Sequence, residues 1–117
     1  MVDATLFIGW NRPIIGREMQ AAAFWKEAMG LYAALQKEGR IESFEPVLLS
    51  SHGGDLNGFV LLRGAATKLD ELRHDERFMD LVIKGSMLTS NFGVVNGFIG
   101  SGLEKVMNRW MMLASKT

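Results

Sequence analysis

The sequence predicts an α+β fold: an antiparallel four-stranded sheet with helices on one face and an extra helix at the C-terminus. Three observations predict it. Four short runs rich in β-branched and aromatic residues alternate with longer runs of helical period, in the order β-α-β-β-α-β. The two middle β runs are joined by a stretch dense in Gly, Asn and Asp, the chemistry of a hairpin. A chain of 117 residues fits one domain (1–117) and buries enough surface for one core without staples.

Ala4–Trp10 (ATLFIGW) is strand 1, ended ahead of Pro13. Gly16 to Glu38 reads as a helix. Phe24, Ala28, Leu31 and Leu35 recur on one face, with Trp25, Met29 and Tyr32 as a neighbouring stripe. Lys37 in the last turn and Gly39 beyond it mark the stop. Gly30 inside this helix costs up to about 1 kcal/mol relative to Ala, which suggests a close approach by another element.

Phe44 to Ser51 is strand 2. Pro46 cannot donate to a ladder, so this strand is expected at a sheet edge. Phe59 to Arg63 is strand 3. Between them, LSSHGGDLNG carries Gly53-Gly54 and Asn57-Gly58, both dipeptides that favour positive φ. His52 and Asp55 in that connection have the spacing H-x-x-D without a third metal ligand nearby, so a turn is the simpler reading.

Ala66 to Leu88 is helical in two pieces. Leu69 and Leu72 belong to the first, and Phe78, Leu81 and Val82 to the second, with Asp75 as the cap between them. The polar break RHDER reads as a solvated face, and Asp80–Lys84 as an i, i+4 pair. Val94 to Ile99 is strand 4. Ser101-x-x-Glu104 has the form of a capping box, and Leu103, Val106, Met107, Trp110 and Met111 follow on one face of a helix over about 101–114. This order is the ferredoxin-like arrangement.

Composition excludes several classes of function. There is no Cys, so neither disulfides nor thiolate chemistry. Thirteen basic against thirteen acidic residues leave no surplus to hold nucleic acid or an anionic membrane. No apolar run is long enough to span a bilayer and no leader precedes the first strand, so the expected location is cytoplasmic. Gly100-x-Gly102 lies between a strand and a helix, but Lys105 stands where a dinucleotide fingerprint needs its third Gly.

The strands do not alternate as a sheet covered on one face should. Leu6-Phe7-Ile8, Val47-Leu48-Leu49, Phe59-Val60-Leu61-Leu62 and Val94-Val95 are apolar toward both sides. Helices cover one side, and an exposed apolar face of that size is unusual on a monomer. A homodimer packed through the sheet faces is therefore expected.

With these elements in place the chain resembles the dimeric α+β barrel superfamily, whose subunits are ferredoxin-like. The resemblance spans nearly all of residues 4–100 and includes LRGAATKLDELRHDERFMDLV (62–82), where Asp75, Glu76 and Phe78 fill the start of the second helix piece. That superfamily implies quinone-forming cofactor-free monooxygenases, haem-degrading oxygenases, haem peroxidases or small isomerases, so its fold does not fix an activity. The haem-degrading branch has an Asn on strand 1, a Trp before the second helix and a His within it. Asn11 matches the first. Leu69 and Leu72 stand at the Trp position, His74 precedes Phe78, and no His occurs over 82–85. No haem, other cofactor or metal is expected.

Trp10, Asn11 and Arg12 leave strand 1 together and offer an aromatic wall, an amide and a cation. Trp25 and Tyr32 have polar tips that need partners when buried. His52 and His74, the two histidines, sit in polar loops. Eight Met supply adaptable packing or a plastic apolar pocket. The leading expectation is a dimer that binds a small apolar or aromatic ligand through Trp10, Asn11, Arg12, Trp25, Tyr32 and His52. One alternative is a cofactor-free monooxygenase using Asn11, Arg12, Tyr32 and His52. The other is an interaction module that docks through its last helix.

Overall fold

A computed structural model describes residues 1–117. The chain runs β1 (Ala4–Trp10), α1 (Glu18–Lys37), β2 (Ser43–Leu48), β3 (Gly58–Gly64), α2 (Ala66–Leu72), α3 (Glu76–Leu88), β4 (Gly93–Phe98) and α4 (Gly100–Ala114). All sheet pairings are antiparallel and the strand order is β2-β3-β1-β4. Pro46 therefore lies on an edge strand, opposite Val60, as its missing N–H requires.

Side chains alternate across the sheet. Leu6 and Ile8 of β1, with Val60 and Leu62 of β3, face the helices and are buried. Ala28, Tyr32 and Leu35 of α1 close over them, and Leu69, Leu72, Phe78 and Leu81 of α2 and α3 complete the core. The intervening residues Phe7, Phe59, Leu61 and Val95 point the other way, where no element of the chain covers them. Phe7 and Phe59 stack there at 4.9 Å between ring centroids. The two-sided apolar character of the strands thus resolves into one packed face and one open face.

Asp75 caps α3 as expected, its carboxylate accepting from the backbone N–H groups of Arg77 and Phe78. The charge cluster around it is less solvated than its sequence suggests. Arg40 from the end of α1 donates to Asp75 at 2.5 Å, and Arg77 bridges Asp75 and Glu38. Arg73 reaches over the sheet edge to the Val94 carbonyl and Asn96. The Arg77 hydrogen bond, with that of Arg40, holds the Asp75 carboxyl well below the usual carboxylate range, against the opposing effect of burial.

Four local expectations are corrected. Lys84 pairs with Glu27 of α1 at 2.9 Å rather than with Asp80, because packing α3 on α1 brings a carboxylate from another helix to it. Ser101 is not an N-cap. The chain turns earlier, at Gly100 (φ 54), Ile99 is the capping position, and the Ser101 hydroxyl meets the Met1 sulfur. Asn57-Gly58 is not the hairpin turn. Gly53 (φ 81) supplies the positive φ, and Gly58 already belongs to β3. Nothing approaches Gly30, which faces open space.

The last helix departs from the rest. None of its residues is buried, and its main contacts are with β1 and β4. The radius of gyration is 16.0 Å, against about 13 Å for a compact chain of this length. The longest dimension is 53 Å. At its root, Gly102 lies on the Asp3 backbone, where any Cβ would collide with the Asp3 carbonyl oxygen.

Candidate functional site

A cavity of about 230 Å³ opens between α1 and the sheet. Phe24, Trp25, Met29 and Tyr32 of α1 form its roof. Ile8, Trp10, Leu48 and Val60 form its floor, and Phe92, just before β4, is one wall. Twelve of its fifteen lining residues are hydrophobic, so its occupant is chiefly apolar. Pockets for drug-sized molecules run to roughly 300–1,000 Å³, so this one suits one or two rings.

Local sequence explains the shape. Trp10 is the last residue of β1 and sits opposite Gly58. A Cβ at Gly58 would lie 2.6 Å from the Trp10 indole, so only glycine leaves the ring this seat. Gly85 of α3 does the same for the Phe92 ring. Trp25 meets Trp10 edge to face, with centroids 5.7 Å apart and planes at 72°. Such pairs add about 0.5–1.5 kcal/mol beyond burial and fix the rings' orientation.

The polar groups of the cavity are few. Tyr32 is 2% exposed, and its ring leans on Phe44 at 5.8 Å. Its hydroxyl makes no hydrogen bond to another side chain or to the backbone, and Tyr32 is among the residues that line the cavity. Burial pushes this phenol above its ordinary range, so it stays protonated and acts as a donor. Thr89, also at the lining, donates its hydroxyl proton to the Gly85 carbonyl at 2.7 Å and retains only acceptor capacity. Glu18 is the one charged lining residue, and its carboxylate accepts from the Gly16 N–H at 2.8 Å.

Of the residues singled out from sequence, Trp10, Trp25 and Tyr32 come together around the cavity. Asn11, Arg12 and His52 do not line it. The Asn11 amide is held on both sides, accepting from Asn57 and donating to Asn91, so that it clamps the β2–β3 connection to the loop before β4. Arg12 is exposed and pairs its backbone with Ser90. The His52 ring folds back to the Ser50 carbonyl at 2.9 Å and over Gly54. No three His, Asp or Glu side chains cluster in the way a metal requires. Sequence reasoning missed Thr89, Phe92 and Glu18. They converge through the α1, α3 and β4 packing, and no local pattern marks them.

No protein-family model matches the chain, and no curated protein is similar to it in sequence. Two solved structures share its fold. One is a dimeric protein of unknown function with a ferredoxin-like fold from Bacteroides fragilis. It superposes with a TM-score of 0.61 at 11% identity, covering 83% of this chain and 96% of its own. The other is a protein of unknown function from Nitrosomonas europaea, with a TM-score of 0.59 at 16% identity, covering 85% and 90%. The chain has a ferredoxin-like fold. At these identities the likeness speaks for the fold alone.

Proposed function

We propose that this chain is a homodimeric binding protein for a small, flat, mostly apolar molecule bearing a hydrogen-bond acceptor. The observation that carries the reading is Tyr32, a phenol without a protein hydrogen-bond partner at the lining of an otherwise apolar cavity. A ligand carbonyl, phenol or ether oxygen would accept from it, a hydrogen bond worth about 0.5–1.5 kcal/mol net, while the Trp10 and Trp25 rings supply stacking surface. Glu18 at the lining disfavours an anionic ligand. The homodimer is supported by the uncovered apolar face of the sheet and by the dimeric state of the Bacteroides fragilis protein. The cytoplasm is the proposed setting of this cysteine-free chain; no helix is long and apolar enough to cross a membrane.

The test is a panel of one- and two-ring phenols, quinones and aryl ketones, read by melting temperature and tryptophan emission. A binder is expected to quench emission and raise the melting temperature. Tyr32→Phe should weaken it about tenfold, the loss of one net hydrogen bond, with the fold retained. A panel that moves neither signal overturns the reading.

A further inference from the structure

The most conspicuous surface outside the cavity is the apolar stripe of α4. Leu103, Val106, Met107, Trp110 and Met111 recur at i, i+3, i+4, i+7 and i+8, the spacing of one helix face. All are exposed, Trp110 at 63%. Fifteen residues make a helix about 22 Å long, and isolated helices of about 12–15 residues are marginal in water. This stripe needs a surface to hold it, and the chain's own core does not provide one.

We infer that α4 is an exchanged arm, its apolar stripe seated on a second copy of this chain. The inference rests on the homodimer proposed above and adds what the helix does in it. Three features favour a second copy over other occupants. First, the stripe is extensive. Its five large apolar side chains are 37–63% exposed along one helix face, contiguous apolar surface of a kind monomers rarely leave bare and that an interface of standard size, about 800 Å² per partner, would cover. Second, α4 carries a net charge of only one, Lys105 and Arg109 against Glu104, short of the Lys- and Arg-rich polar face that a lipid surface selects. Third, the same chain carries another bare apolar surface. The open face of the sheet includes Val95 at 59% exposure, on β4, the strand from whose end the arm springs. In a two-fold dimer each unpartnered surface is met twice, so an arm given to the partner is matched by one received.

The direction of the arm is set in advance. Gly100 takes positive φ, Gly102 rests on the Asp3 backbone, and the Ile99 N–H donates to the Asp3 carbonyl at 3.2 Å. The helix is thus held away from its own sheet rather than tethered by a loose linker.

The test combines two measurements on the full-length chain. Hydrogen exchange of the α4 amides is followed at high and low protein concentration, and the dimer dissociation constant is measured by sedimentation for the wild type, Trp110→Glu and Arg109→Glu. The inference expects α4 amides protected at high concentration and exposed on dilution. It expects a dissociation constant raised at least thirtyfold by Trp110→Glu, the scale of an interface hot spot, and little changed by Arg109→Glu on the polar side. A dimer whose α4 amides exchange freely at every concentration, and which Trp110→Glu leaves intact, overturns the arm while the sheet-face dimer stands. A wild-type chain that is monomeric throughout overturns both.

Discussion

The two faces of the sheet are made from alternate residues of the same strands, yet they end in opposite states. Leu6, Ile8, Val60 and Leu62 are sealed under three helices. Phe7, Phe59 and Leu61, each one step along the chain, are only half-buried, and Val95 is exposed. The covered face is complete within one chain and accounts for the fold. The other face carries an apolar patch without a second layer, bordered by the Arg63–Glu45 ion pair. Stability and assembly are therefore written in alternating letters, and a one-residue slip in register would exchange them.

The largest expected effect lies on the covered face. Phe78→Ala should cost about 3–5 kcal/mol of stability in urea titration, because Phe78 is 1% exposed and nothing can relax into its place. A loss below 1 kcal/mol would mean this face is more loosely packed than it looks. On the bare face, Phe59→Ala breaks the Phe7 stack. It should change the unfolding of an isolated subunit little but weaken self-association at least tenfold by sedimentation, within the range of interface truncations. Equal losses in both assays would erase the distinction between the faces.

Smaller effects come from the rim of the covered face. Asp75→Ala removes the α3 cap and should cost about 1 kcal/mol at neutral pH. Because the folded carboxyl is held below its ordinary range, the stability it contributes is complete above about pH 4. It is lost as pH falls further, toward the folded value. Urea midpoints of wild type and Asp75→Ala should therefore converge in acid. The smallest effect is a gain. Gly30→Ala places a methyl in open space on a helix and should stabilise by roughly 0.5–1 kcal/mol.

Sequence resolved what is local and periodic, and missed what is assembled at a distance. The bounds of β1 were legible because Pro13 and the apolar run act within a few residues. The Asp75 cap was legible for the same reason. The Ser101 box failed because Gly100 bends the chain one step sooner. The Asp80–Lys84 pair failed because Glu27 arrives from another helix. At the cavity, Trp10, Trp25 and Tyr32 stood out by their chemistry. Asn11 and His52 stood out too, but hydrogen bonds within the chain engage them elsewhere. Phe92 and Thr89 had no signal, since a ring before a strand and a threonine after a helix are commonplace until tertiary packing brings them together.

Asp3 ties three parts of the molecule at one joint. Its N–H reaches Gly64 at the end of β3, its carboxylate accepts from Ala66 at the start of α2, and its carbonyl accepts from Ile99 beneath α4. In mechanical terms it is the fixed fulcrum of a lever that carries Trp110 along its length. Loosening that one residue would free Trp110, some 15 Å along the helix at 1.5 Å per residue, to sweep through a wide arc.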